Sequence, residues 1–339
     1  MNRKIIINVL LALLASISVI LVINSAFREK VLISDLISKE VLELIFIGLI
    51  INLVCIFIDG FKLHMVISIL KEKISYIDAL EACILYSFFS AVTPSSMGGQ
   101  PFQIYFLTRK GIRSETATNV IIFRTFEYLL IVLGIDIYAL LFIIPKLPQW
   151  NIGKTIIVLG FGSSLLSTGL TWLAMMRPDL FKLIIISLKR INRLKNFIER
   201  WEKKVYRWID NLKLSANELW KNKKIILIDF SLMLVLILLY SYLLFLPIVS
   251  LTRLKINFFT FFSVQTLLSS LASYIPTPGA SGGTEAILYT AFKELSFFPR
   301  LLLLGITIFR ITTYYSIILI GLLVVFKNRN LLSREKGER

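Results

Sequence analysis

Histidine is nearly absent from this chain: His64 stands alone among 339 residues. A serine or threonine nucleophile needs a base to activate it, so a single histidine works against nucleophilic hydrolysis and against a histidine-dependent lipid phosphatase. Cysteine is almost as scarce. Cys55 and Cys83 both lie inside apolar segments, which excludes a disulfide framework and reads as ordinary packing. The chain has no phosphate-binding glycine loop, no CxxC and no spaced set of metal ligands, so neither a metal nor another cofactor is expected. Acidic residues are in short supply, at 21 against 38 basic ones.

What is abundant is apolar sequence. A hydrophobic share of 56% and a mean hydropathy of +0.78 exceed what a soluble domain of this length carries and indicate an all-α polytopic membrane protein. Six apolar runs are long enough to span a bilayer, at about 5–24, 41–69, 117–144, 155–176, 225–247 and 301–326. The first follows MNRK, is too long for a signal-peptide core and lacks a small-residue cleavage site, so it reads as a retained span.

The basic excess gathers between spans rather than in a nucleic-acid-like patch. The stretch Arg177–Lys224 holds 14 basic and 5 acidic residues. With the MNRK start and the tail from Lys327, it is expected on the cytoplasmic side, and no nucleic-acid partner is expected. Three cytoplasmic segments require an even number of spans, which six satisfies. Arg28–Glu40 is charge-balanced and falls outside; Arg253, Lys255, Lys293 and Arg300 are a mild breach of the rule on that side. Within the basic stretch, Ile184, Leu188, Ile191, Leu194, Ile198, Trp201, Val205, Trp208 and Leu212 recur at helical spacing. They predict an amphipathic helix lying either on the inner leaflet or on the protein itself.

Two other apolar segments, about 77–110 and 257–298, are broken by proline and glycine at VTPSSMGG and PTPGASGG. Each predicts a re-entrant hairpin, because non-helical backbone at membrane depth must be buried in protein or face a water-filled cavity. The tips align. Thr93-Pro94 precedes Gly98-Gly99 as Thr277-Pro278 precedes Gly282-Gly283. Phe123-Arg124 and Phe309-Arg310 then follow inside the next span of each half.

The organisation expected is a first span and outer loop (1–40), repeat A (41–144), a linking span (155–176), the basic helix (177–224), repeat B (225–326) and a basic tail (327–339), with the two repeats inverted in the membrane. Such repeats place a substrate site near midplane, built from broken helices.

Arg124 and Arg310 fall about 12–14 Å deep at 1.5 Å per residue. Buried arginines are costly in lipid and face a cavity or a partner. A guanidinium fork suits a lipid phosphate, so both arginines, with the tips from Thr93 to Gln100 and from Thr277 to Thr284, are expected to hold a phosphate-bearing headgroup. The structural alternative is an ion pair, with Glu127 one turn from Arg124 and Glu285 beside the second tip as the carboxylates. Gln100, Thr284, Ser95, Ser96 and Ser281 offer neutral hydrogen bonds at the tips, or helix caps. Asp59, Lys62 and His64 read as an interfacial salt-bridge cluster. Asp136 and Asp229 receive no role. The GASG run at Gly279–Gly282 resembles a rhomboid-protease nucleophile motif, but His64 is expected near the other membrane face.

The TPxxxGG tip, the PTPGASGGTEA stretch and the FR of the last span resemble the transmembrane flippase region of lysylphosphatidylglycerol synthases, the family of the multiple peptide resistance factor. The resemblance covers nearly the whole chain. It implies translocation of an aminoacylated phosphatidylglycerol to the outer leaflet of the cytoplasmic membrane, which lowers surface negative charge and repels cationic antimicrobial peptides. It also implies a membrane phospholipid as partner and a separate lipid synthase, since the expected spans leave no room here for an acyltransferase. The alternative it carries is phosphatidylglycerol lysyltransferase activity, or a membrane subunit of aminoacyl-lipid synthesis.

Overall fold

The computed structural model describes residues 32–146, 154–177, 179–180, 182, 192–272, 275, 277–293, 298–329 and 331. The predicted first span, the first part of the basic segment and most of the tail lie outside them. Among the described residues the chain is α-helical, with a single isolated bridge and no strand. Five helices are long and apolar enough to cross a membrane: α1 Lys39–Ile69, α4 Ser114–Lys146, α5 Lys154–Met176, α7 Lys223–Thr252 and α10 Pro299–Lys327. They coincide with five of the six predicted spans; the sixth is the undescribed one.

Between them lie shorter helices. α2 (Tyr76–Val92) and α3 (Gly99–Arg109) form the first hairpin; α8 (Phe258–Ala272) and α9 (Gly283–Lys293) form the second. α6 (Asn192–Lys221) is the amphipathic helix. Its later half rests on the protein. Ile209, Leu212, Ala216 and Leu219 are buried, Asn119 of α4 donates to the Leu212 carbonyl at 2.5 Å, and Trp220 meets Phe123 edge-on at 6.0 Å.

The interior is aromatic and tightly filled. Phe88, Phe106 and Phe123 are enclosed on the first-hairpin side, and Phe261 stacks on Phe292 at 4.5 Å within the second. Large apolar side chains also point outward, among them Phe46, Leu141, Leu166, Leu319 and Leu323. That distribution suits a protein solvated by lipid. There the hydrophobic effect does not separate inside from outside, and close packing and internal hydrogen bonds hold the helices together. Close approach is visible where a Cβ on Gly321 would come within 2.5 Å of Phe88.

Polar pairs mark the two ends of the bundle. At one end, Arg113 bonds Glu72 at 2.6 Å, Lys327 bonds Glu81 at 2.6 Å, and Arg109 donates to the Leu331 carbonyl at 3.1 Å. The hydrogen bond from Arg113 to Glu72 raises the guanidinium pKa further. At the other end, Arg300 makes a two-oxygen contact with Asp35 at 2.8 and 2.6 Å and holds its carboxyl below the usual range. Of the four basic residues that breach the charge rule, Arg300 is thus neutralised by the balanced loop, and Lys293 sits 5.6 Å above the Tyr289 ring. The first hairpin opens toward the first end and the second toward the other.

Candidate functional site

The site is built on the two broken tips. Helix α2 ends at Thr93, whose backbone turns extended at φ −116° and ψ 149° before Pro94. The Thr93 hydroxyl donates to the Phe89 carbonyl at 2.6 Å and accepts from the Gly98 N–H at 2.9 Å, joining the end of one helix to the start of the next. Ser95 and Ser96 then take left-handed φ of 49° and 56°. At the matching places of the second tip, Gly279 and Ala280 have φ of 57° and 52°. Three of these four are not glycine. A left-handed pair of that composition is strained and persists only where tertiary contacts fix it.

Those contacts come from the opposite tip. Pro94 and Pro278 face each other in an antiparallel bridge. The Ser95 N–H donates to the Thr277 carbonyl at 3.2 Å, and the Gly279 N–H donates to the Thr93 carbonyl at 3.3 Å. The same atoms are exchanged in both directions, as a two-fold relation between the halves requires. Proline has no N–H, so the residue after each proline supplies the bond. Gly99 is needed here for space, because a Cβ would fall 2.0 Å from Ser90 Oγ and 2.6 Å from the Tyr86 carbonyl oxygen.

The two arginines lie in different surroundings. Arg310 donates from Nε to Glu285 Oε1 at 2.5 Å and from Nη2 to Ser281 Oγ at 2.9 Å, and its guanidinium lies 4.5 Å above the Tyr314 ring. Glu285 also accepts from the Gly282 N–H at 2.7 Å, which caps the start of α9. Thr277 donates to the Ser281 carbonyl at 2.7 Å and Thr284 to the Ala280 carbonyl at 3.0 Å. Arg310 is therefore clamped by its own tip.

In the first tip the residues matching Ser281 and Glu285 are Met97 and Pro101, which offer neither acceptor. Arg124 reaches across to α1 instead and pairs with Asp59, with Nη1 3.6 Å from Cys83 Sγ. Arg124 and Asp59 line a cavity of about 570 Å³ together with Tyr86, Gln100, Gln103, Tyr128, Tyr240 and Gln265. Gln100 donates to Thr125 at 2.9 Å on its wall. Glu285, Ser281 and Arg310 do not line it.

Glu127, expected beside Arg124, is bonded by Lys62 at 2.8 Å, and Lys62 also meets Asp229 Oδ1 at 3.0 Å and its carbonyl at 2.6 Å. All three side chains are fully enclosed. The grouping of Asp59, Lys62 and His64 as an interfacial cluster thus comes apart. Asp59 goes to the cavity and Lys62 to a buried triad, while His64 meets the Tyr76 ring edge-on at 6.3 Å. One helical turn separates Asp59 from Lys62, and Arg124 and Glu127, which they meet on α4, are one turn apart as well, so the wrong neighbour was easily chosen from sequence. Ser281 is engaged by a guanidinium rather than by a base.

Asp229 and Asp136, left unassigned by sequence, are both fully buried. An acid within an apolar run was the available signal. Asp136 is enclosed by the hydroxyls of Ser164, Thr266 and Ser270.

The family profile described as the lysylphosphatidylglycerol synthase TM region matches residues 5–321. No curated protein matches the chain.

Proposed function

Because the chain belongs to the lysylphosphatidylglycerol synthase transmembrane family, we propose that it translocates a phosphate-bearing lipid, such as aminoacylated phosphatidylglycerol, across the cytoplasmic membrane. The termini lie in the cytoplasm, and the transferred lipid lowers the negative charge met by cationic antimicrobial peptides. The observation that carries this reading is the cavity of about 570 Å³ within a multi-pass bundle, largely apolar but walled by Arg124, Asp59 and several tyrosine and glutamine side chains. A guanidinium has five N–H donors, so Arg124 can keep Asp59 and still bind phosphate oxygens. Tyrosine and glutamine side chains supply neutral hydrogen bonds for the remainder of a headgroup. Thr93, Pro94, Gly98 and Gly99, with Thr277, Pro278, Gly282, Gly283 and Thr284, form the joint about which the halves rock to expose the cavity to each leaflet in turn. Arg310, Glu285 and Ser281 hold that joint in shape, and Glu127 holds α1 and α7 against α4 through Lys62.

The test is dithionite quenching of labelled phosphatidylglycerol, lysylphosphatidylglycerol and phosphatidylethanolamine in liposomes containing the protein. Loss of inner-leaflet signal is expected to speed up for the transported headgroup. Arg124→Lys keeps a cation beside Asp59 but loses the fork. It should slow transfer about 10- to 100-fold, in line with the ~1.5–3 kcal/mol of a hydrogen bond to a charged group. Unchanged transfer in Arg124→Lys sinks the assignment of the phosphate. Newly made lysyl-lipid, without any change in sidedness, would instead favour the synthase reading.

A further inference from the structure

Asp136 lies outside the arginine cavity's lining yet adjoins it. It projects from α4, 0% exposed, toward α5 and α8. No lysine or arginine among the described residues pairs with it; the buried cations of the bundle are taken by Asp59, Glu127, Asp229 and Glu285. An ionised carboxylate in such a place must find a compensating charge or give up its own.

Its neighbours are three hydroxyl oxygens, and two of their hydrogens, those of Thr266 and Ser270, are directed to backbone carbonyls. The Thr266 hydroxyl donates to the Ser263 carbonyl at 2.9 Å. The single hydrogen of Ser270 is divided between the Thr266 carbonyl at 3.1 Å and Asp136 Oδ2 at 3.4 Å. Asp136 Oδ1 and Ser164 Oγ, both buried, have no hydrogen-bond partner among the described residues. The result is a cluster of oxygens from three helices with more lone pairs than hydrogens to meet them, even when Ser164 turns its hydroxyl to the carboxylate. A proton on Asp136 would serve one acceptor and leave the others unmet. A bound cation serves all of them. Hard oxygen donors suit a hard cation. One carboxylate balances one positive charge, whereas a divalent ion would leave net charge in an apolar surround.

We infer that Asp136, Ser164, Thr266 and Ser270 form a binding site for a monovalent alkali cation, with sodium the ion of choice. Thr266 also lines the Arg124 cavity, so the ion and the headgroup meet across one helix. On the translocator reading, on which this last step rests, the cation couples lipid movement to an ion gradient. In transporters built from inverted repeats such ions bind beside the substrate site at the C-terminal ends of half-helices, and Thr266 and Ser270 lie in the last two turns of α8.

Sodium alone is the probe. Thermal unfolding of the purified protein is followed in sodium chloride and in choline chloride at matched ionic strength. Sodium should raise the unfolding temperature saturably, choline should not. Ser164→Ala should raise the half-saturating sodium concentration about tenfold, Asp136→Asn should abolish the response, and Asp35→Asn should leave it intact. The same preparations enter the lipid-transfer assay. Equal unfolding temperatures in both salts, with lipid transfer intact, overturn the site. So does a step in stability with pH that Asp136→Asn removes while sodium has no effect, since the acid is then protonated. A sodium response retained in Ser164→Ala and Asp136→Asn overturns the assignment of residues. A sodium response lost in those variants, with no lipid transferred by the wild-type protein, supports the site and sinks the translocator reading instead.

Discussion

The two tips share a backbone geometry and differ in the side chains that meet their arginines. Both tips carry a left-handed pair after the proline, and each lends its threonine carbonyl to the other. In the second half, Ser281 and Glu285 hold Arg310 beside its own tip. In the first, Met97 and Pro101 stand in their places, and Arg124 turns to Asp59 on another helix. One half thus uses its arginine to fix the joint, and the other presents it to a cavity. Where the second tip has two acceptors for its arginine, the first has none, and its arginine is left to face the cavity.

The largest effect on this comparison is expected from Arg310→Ala. It leaves Glu285 as a buried carboxylate without its cation, a change that costs about 3–5 kcal/mol when one partner of such a pair is removed. Thermal or denaturant unfolding in detergent should show the loss, and Glu285→Gln in the same chain should recover part of it. A fully stable Arg310→Ala protein with lost lipid transfer would break the comparison, by making Arg310 a ligand rather than a clamp.

A smaller and sharper effect is expected from grafting the clamp. Met97→Ser with Pro101→Glu gives the first tip the acceptors of the second. Arg124 should then be drawn from Asp59 to its own tip, slowing lipid transfer more than it changes the unfolding temperature. Transfer at the wild-type rate would show that the acceptors do not set where Arg124 points.

The smallest effect is at the end of the bundle where the second hairpin opens. The carboxyl of Asp35 is held below its usual range by Arg300. A group with a depressed folded-state pKa contributes stability above its unfolded value of about 4 and loses it as pH falls through the folded one. Asp35→Asn should therefore lower the unfolding temperature slightly at neutral pH, and the difference from wild type should shrink toward pH 3. As a solvent-screened pair it contributes little. A difference that grows on acidification would contradict the pairing.

Much of the architecture could be read in the chain. Lengths of apolar sequence are set by the bilayer, and proline and glycine stop helices wherever they stand, so the spans and both hairpins follow from local rules. The matching TPxxxGG tips also announced that the two breaks share one geometry. Partnerships among buried charges were less legible. Glu127 was the carboxylate offered for Arg124 in the ion-pair alternative, yet Arg124 pairs with Asp59; Lys62 was expected near an interface and lies enclosed between Glu127 and Asp229. Residues one helical turn apart are equally good neighbours on paper, and rotation and crossing of the helices choose between them.

By itself, then, the sequence determined which segments are long and apolar enough to cross a membrane, where the backbone must break, and that two arginines are carried within apolar helices. These depend on the solvent and on single-residue stereochemistry. Only the tertiary structure decided that the tips meet each other, that one arginine is clamped while the other faces a cavity, and that Asp136 sits among oxygens rather than beside a cation. Those outcomes depend on helices far apart in the chain packing so closely that one polar group has a single partner within reach.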